Sequence, residues 1–360
     1  FRMENLLERN GIRTFGITEI EEKGLRLCWS ASGIEFTTSA KEIVIEMEGE
    51  SKGREEDAFF AVFVNGERMQ YKVQGFSGKK ECVLYPESSE EEVSIRILKL
   101  TEEQYGKVWI SGIRLDGRVW ISPASFSDTV EENGEQEEST VLSGNAKQKP
   151  HLLFIGDSIT AGYGVDGVNG ESAFCTEEED VTKAYAYKTA EKLGAEKTIV
   201  CFSGNGVLSR WIPAEELQPL TEQILPEIFP YEEVKRSIAL TKQKGECAPD
   251  YIVINLGTND ASYTRRIPER EEAFAEKYRA FVKRLQEAFP DSPILLLYGV
   301  MEQTLMERVK EVAEQCKVEF LPLPLQAPED GMGAAEHPSE RTQEKMAERL
   351  LSFLKKKNLH

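Results

Sequence analysis

Apolar and polar positions alternate in short segments through the first third of the chain. Residues 25–29, 33–37, 43–47, 59–64, 70–73, 81–85, 93–100 and 108–115 follow this pattern, with turn signals between them at Asn65-Gly66 and Asp116-Gly117. A period of two is the strand period, so the pattern predicts eight or so short strands. Asn65-Gly66 suits a type I′ hairpin, whose two central residues both need positive φ. Strands recurring at about 8–12-residue spacing predict an all-β sandwich of the jelly-roll kind over residues 1–121.

The pattern fades after Ile121. Residues 122–149 are rich in Ser, Glu, Gly, Asn and Gln, include Glu131-Glu132 and Glu137-Glu138, and read as a linker. From residue 150 to 360 apolar runs alternate with amphipathic stretches. Strands are predicted at 152–155, 198–202, 251–256, 294–298 and 318–321, and helices at 183–193, 270–288, 304–316 and 340–354. Apolar strands separated by helices imply a parallel sheet covered on both faces, hence a three-layer α/β domain.

Composition narrows the function. The 360 residues carry 63 acidic against 44 basic side chains, a net charge of -19, which repels a phosphate backbone and argues against nucleic acid as partner. The longest apolar run, Ile294 to Met301, is far short of a membrane span and suits a buried strand, so no membrane partner is expected. The opening Phe1-Arg2-Met3-Glu4-Asn5 has neither the basic nor the apolar part of a secretory signal, so a cytoplasmic location is expected unless the terminus has been processed. The six cysteines, Cys28, Cys82, Cys175, Cys201, Cys247 and Cys316, show no C-x-x-C spacing and are expected to be buried free thiols, with no metal site.

Ligands of open parallel sheets bind beyond the carboxyl ends of the strands. The first such end reads Gly156-Asp157-Ser158-Ile159-Thr160, which puts a serine at a helix N-terminus that favours a developing anion; Asp157, Ser158 or Thr160 could equally be a helix cap. The second reads Phe202-Ser203-Gly204-Asn205-Gly206, where glycine lets backbone approach a ligand, and the third Gly257-Thr258-Asn259-Asp260, where an amide could donate a hydrogen bond. Only three histidines exist. His151 precedes the first strand, His360 ends the chain, and His337 lies in Gly331 to Ser339 ahead of the terminal helix, so His337 is the candidate base for a serine nucleophile.

The order and spacing of these four blocks resemble those of the SGNH or GDSL-like serine hydrolases. Trp29-Ser30-Ala31-Ser32-Gly33-Ile34-Glu35-Phe36 early in the β region, Phe154 to Gly164, Ile254 to Asp260, and His337-Pro338-Ser339 with Thr342 and Lys345-Met346-Ala347 extend the likeness to both halves and to carbohydrate esterase family two. The resemblance implies Ser158 as nucleophile and His337 as general base. It implies an oxyanion hole from the Ser158 and Gly204 backbone amides and the Asn259 side chain, each donor of this kind being worth roughly 3–4 kcal/mol. It implies no cofactor, and acetylated xylo- or manno-oligosaccharides, often 6-O-acetylated, as the substrate partner.

One departure stands out. Related hydrolases orient the histidine with an Asp three residues upstream, where this chain has Ala334, so a Ser–His dyad with a backbone carbonyl on the imidazole is expected; Glu336, Glu329 and Asp330 are the other carboxylates within reach along the chain. A lone imidazole without such a partner is expected to titrate near about 6.5. Tyr163, Trp211 and Tyr263 could stack on a sugar ring or simply pack. Two other functions remain open: a lipase or thioesterase of the same superfamily acting on longer acyl groups, and a sugar-binding protein with an inactive hydrolase domain. The β region is expected to support the catalytic domain more than to bind carbohydrate itself. Oligomeric state is not legible.

Overall fold

The computed structural model describes residues 11–359, apart from 70–71, 76, 87–91, 117, 122–147 and 243–244, and gives backbone alone for 118–121. The expected linker over 122–149 therefore falls almost wholly outside the described residues, as do Gln70, Gly117, Glu131, Glu132, Glu137, Glu138 and His360.

Among the described residues, twelve strands build the N-terminal part: β1 (Ile12–Phe15), β2 (Thr18–Glu21), β3 (Gly24–Leu27), β4 (Gly33–Thr38), β5 (Ile43–Glu50), β6 (Ala58–Val64), β7 (Glu67–Arg68), β8 (Val73–Gly75), β9 (Gly78–Leu84), β10 (Val93–Lys99), β11 (Lys107–Leu115) and β12 (Arg118–Ile121). One antiparallel sheet runs β1-β4-β10-β6-β7 with β8 beside β6, and the other β2-β3-β11-β5-β9 with β12 beside β11. The long strands β4, β5, β6, β9, β10 and β11 alternate between the sheets, the crossing pattern of a jelly roll. Asn65 and Gly66 take φ 50 and 81, the hairpin conformation expected of them. Strands β1 and β2 were not expected, because Arg13, Thr14, Glu19 and Glu21 dilute their apolar signal.

Strand β6 departs from simple alternation for a reason. Phe60 and Val62 face the sandwich core with Ile95 and Ile97 of β10, while Phe59, Ala61, Leu98 and Leu100 pack with Phe154, Val181 and Tyr185 of the C-terminal part. Buried on both faces, the strand reads as the continuous apolar run Ala58 to Val62. The two parts thus share a core. Arg68 adds an ion pair to buried Asp180 at 2.8 Å, and Lys72 one to Asp166 at 2.7 Å.

The C-terminal part follows as β13 (His151–Gly156), α1 (Ser158–Ala161), α2 (Tyr185–Leu193), β14 (Glu196–Cys201), α3 (Leu225–Ile228), α4 (Tyr231–Ala239), β15 (Tyr251–Asn255), α5 (Ala261–Thr264), α6 (Pro268–Ala288), β16 (Ile294–Tyr298), α7 (Met306–Cys316), β17 (Glu319–Pro322) and α8 (Glu340–Lys355). The five strands form a parallel sheet in the order β14-β13-β15-β16-β17. Helices α4, α6 and α7 bury apolar side chains against one face, and α2 and α8 against the other. In α6, Pro268 sits in the first turn, where its missing N–H costs nothing, and Phe274, Tyr278, Phe281, Val282 and Leu285 form the buried stripe. Helix α4, unexpected from the sequence, shows its signal only in Val234 and Ile238, buried four residues apart. Helix α2 starts later than expected, because Val181 to Lys183 form a 3₁₀ turn and Ala184 is extended.

All six cysteines are free; Cys28, Cys201 and Cys316 are buried as expected, whereas Cys82 and Cys175 are half-buried and Cys247 is exposed. His151 is a core residue whose ring nitrogens meet the Thr241 and Thr198 hydroxyls at 2.6 and 2.8 Å.

Buried Gln343 ties α8 to the strand-end segment. Its Nε2 donates to the Ile159 carbonyl at 2.9 Å and its Oε1 accepts from the Tyr185 amide at 2.8 Å. Gln343→Leu strands both partners, so chemical denaturation is expected to show a loss of about 2–4 kcal/mol; an unchanged unfolding midpoint would refute the assignment.

Candidate active site

The sheet brings three strand ends and the loop before α8 to one cleft of about 970 Å³. Ser158, Gly204, Asn259 and His337 all line it, with Tyr163, Trp211, Gln104 and Tyr105. His337 Nε2 lies 2.8 Å from Ser158 Oγ, although 179 positions separate the two residues. His337 Nδ1 lies 2.9 Å from the Ala335 carbonyl. A carbonyl only accepts, so the proton resides on Nδ1 and the Nε2 lone pair faces the serine hydroxyl.

None of the candidate carboxylates takes Ala335's place. Asp330 is bound to Lys345 Nζ at 2.6 and 2.8 Å, and Glu329 and Glu336 are exposed. Burial pushes the His337 imidazole down to about 4, against the upward pull of the Ala335 and Ala334 backbone. The expectation of titration near about 6.5 is corrected accordingly: packing against the cleft wall, not only the missing carboxylate, governs the base.

The backbone before His337 explains the carbonyl's aim. Ala335 and Glu336 take φ 50 and 59, the left-handed region that non-glycine residues rarely occupy. Hydrogen bonds hold them there: Ala334 N–H to Gly164 O at 2.8 Å, Ala335 N–H to Ser172 O at 3.0 Å and Glu336 N–H to Gly170 O at 3.0 Å. Two glycines let the segments meet, since a Cβ on Gly164 would lie 2.7 Å from Ala334 O and one on Gly167 2.4 Å from Ala334 N. The Tyr163 ring, stacked on Phe174 at 3.5 Å, stands 4.3 Å from the imidazole and covers its face.

Three candidate donors line the same cleft as the serine. The Ser158 and Gly204 amides hydrogen-bond to no protein acceptor among the described residues. Asn259 Nδ2 donates to Asn205 O at 2.8 Å and approaches Asp157 Oδ2 only at 3.4 Å, so its second N–H remains weakly held. Helix α1 is a single turn ended by Gly162 at φ 74, so the expected helix-end field reduces to the free Ser158 amide. Asp157 caps that turn by accepting from the Ile159 amide at 3.0 Å, and burial lifts its carboxyl to about 7. Asp260 accepts the Val207, Leu208 and Ser209 amides at 2.8–3.1 Å and fixes the loop behind Gly204. Burial outweighs those amides and lifts it to about 6.

Trp211 is 58% exposed on the cleft rim. Tyr263 does not reach the cleft: its ring packs against the α6 side of the core under the Arg270 guanidinium, 4.5 Å away, so its candidacy as a sugar platform is corrected. Sequence reasoning missed Arg265, Arg266 and Glu302 of the cleft wall and, less expectedly, residues of the β domain. Gln104 and Tyr105 line the cleft, and Glu102 lies buried behind Ser203. In Thr101-Glu102-Glu103-Gln104-Tyr105 they look like any polar turn after a strand.

Comparison with known proteins agrees with this geometry. The GDSL-like Lipase/Acylhydrolase family profile matches residues 154–345, and the Carbohydrate esterase 2 N-terminal profile matches residues 16–123. The chain is 31% identical over 217 residues to cellulase/esterase CelE of Acetivibrio thermocellus, covering 57% of this chain and 25% of that protein. It is 28% identical over 150 residues to an acetylxylan esterase / glucomannan deacetylase of Cellvibrio japonicus, covering 42% of this chain and 39% of that protein, so it spans less than half of either relative. Its fold is similar to that of a family two carbohydrate esterase from Clostridium thermocellum in complex with cellohexaose, with a TM-score of 0.73 at 23% identity over 96% of this chain and 99% of that one. It is also similar to that of an acetyl xylan esterase from the rumen bacterium Butyrivibrio proteoclasticus, with a TM-score of 0.73 at 20% identity over 97% of this chain and 95% of that one. The chain therefore belongs to the GDSL-like lipase/acylhydrolase family and carries, ahead of that domain, a match to the Carbohydrate esterase 2 N-terminal family.

Proposed function

We propose that this chain is a carbohydrate acetylesterase that works through a Ser158–His337 dyad. The observation that carries the proposal is one imidazole 2.8 Å from the serine hydroxyl and 2.9 Å from a backbone carbonyl. His337 Nε2 takes the Ser158 proton as Oγ attacks the acetyl carbonyl. The oxyanion is held by the Ser158 and Gly204 amides and the second N–H of Asn259. His337 then passes its proton to the departing sugar hydroxyl, and an acetyl group remains on Ser158. Water, deprotonated by the same nitrogen, releases acetate and restores the hydroxyl. The Ala335 carbonyl holds the Nδ1 proton throughout, in the role a carboxylate fills in a triad.

An O-acetylated oligosaccharide fits the open cleft, where the exposed Trp211 face offers an apolar platform for a pyranose ring. The names of the curated relatives, an acetylxylan esterase / glucomannan deacetylase among them, support the same substrate class.

A fluorophosphonate probe is expected to label Ser158 in the native protein, and Ser158→Ala to abolish labelling. Ser158→Ala and His337→Ala should each lower kcat for p-nitrophenyl acetate by about 10³-fold or more. Persistent labelling of the alanine variant would sink the nucleophile assignment, and faster turnover of the octanoate than the acetate would favour a lipase or thioesterase.

The base acts only as neutral imidazole, whose pKa in the fold is lowered to about 4. Raising the pH through that value converts the inactive cation to the active base. kcat/KM should therefore climb at the acid end and be level on both sides of about 6.5, where a free imidazole titrates. A half-maximal rate at pH 6.5 would contradict this.

A further inference from the structure

We propose that Glu102 and Gln104, on the loop between β10 and β11 of the β domain, are positioning residues that hold the oxyanion-binding peptide Ser203–Gly204, so that the β domain completes the catalytic device. The inference rests on the esterase reading above and goes beyond it by assigning a task to the other domain.

The Gly204 amide is poorly restrained by its own domain. Gly204 has φ 77, a Cβ placed on it would meet nothing within 4 Å, and its N–H has no acceptor among the described residues. A glycine in open space can rotate the peptide before it and turn that N–H away. The Gly204 carbonyl is anchored by Trp211 N–H at 2.8 Å, but this leaves the preceding peptide free.

The β domain holds Ser203 on both sides of its Cα: Glu102 takes its N–H and hydroxyl, and Gln104 reaches its carbonyl, the one contact on the Ser203–Gly204 peptide itself. Glu102, fully buried, accepts the Ser203 N–H on one carboxylate oxygen and the Ser203 hydroxyl on the other, both at 2.5 Å. Gln104 Nε2 donates to Glu102 at 2.9 Å and approaches the Ser203 carbonyl at 3.4 Å. The Ser203 carbonyl belongs to the same planar unit as the Gly204 N–H, so holding the first orients the second. Glu102 is itself held from the other domain, because its backbone N–H donates to Glu179 at 3.1 Å. Burial and the neighbouring Glu102 carboxyl push Glu179 well above the usual carboxylate range. The shared apolar core of Phe59, Leu98, Leu100 and Val181 makes the loop a rigid mount.

Misorienting one oxyanion donor should reduce turnover by about ten- to a hundredfold, short of the loss from deleting the donor. Glu102→Ala and Gln104→Ala in the full chain are each expected to lower kcat for p-nitrophenyl acetate in that range with KM within twofold. A boronic acid that mimics the tetrahedral state should lose affinity by the same factor. Glu102→Gln should recover most of the rate, because its amide oxygen still accepts the Ser203 N–H. Glu103→Ala, on the same loop but turned to Arg26, is the comparison for loop packing alone. Wild-type kcat in folded Glu102→Ala and Gln104→Ala, or an equal loss in Glu103→Ala, would overturn the proposal. If Glu102→Ala fails to fold, half-buried Gln104→Ala decides by itself. Fluorophosphonate labelling of the native protein separates the cases: no labelling refutes the esterase reading, whereas normal labelling with unaffected variants refutes only the clamp.

Discussion

The hydrogen bond from His337 Nδ1 to the Ala335 carbonyl is the constraint on which the site depends. It selects the tautomer, aims Nε2 at Ser158 and leaves the imidazole without a formal negative partner. To present that carbonyl the chain holds Ala335 and Glu336 in the left-handed region, at about 1–2 kcal/mol each for ordinary residues. The opposing gain comes from the three backbone hydrogen bonds to the 164–172 segment, which require the bare Cα atoms of Gly164 and Gly167. A segment with the look of an ordinary Gly-rich turn is thus the mount for the His337 imidazole.

The same economy of charge runs through the rest of the site. Asp157, Asp260 and Glu179 are buried carboxyls that burial raises above their ordinary range, and each accepts a hydrogen bond from at least one backbone amide. They organise loops and do not face the substrate. The jelly roll and the α/β layer work as one body, because Phe59, Ala61, Leu98 and Leu100 turn from the sandwich core into the hydrolase core. Gln104 and Tyr105 reach the cleft on that shared surface, with Glu102 buried behind them at Ser203.

Much of this was legible in the residue pattern. The period-two segments marked most long strands of the sandwich, and the blocks around Ser158, Gly204, Asn259 and His337 located the cleft, because strand-end chemistry is local in sequence. What escaped notice depends on contacts distant in sequence. No local pattern shows that β6 is buried on both faces, that Glu102 bonds Ser203 across 101 positions, or that Tyr263 lies under Arg270 and outside the cleft lining. The titration of His337 was misjudged for a related reason: the sequence displays the absent upstream Asp at Ala334, but not the covering Tyr163 ring or the burial that lowers the imidazole.

Nitrogen-15 NMR of His337, read across a pH titration, tests the central claim most directly. The structure predicts a neutral ring protonated at Nδ1 throughout pH 5.5–8, with the cation appearing only near the lowered value of about 4. An Nε2-protonated ring, or an imidazolium still populated at pH 6.5, would contradict it.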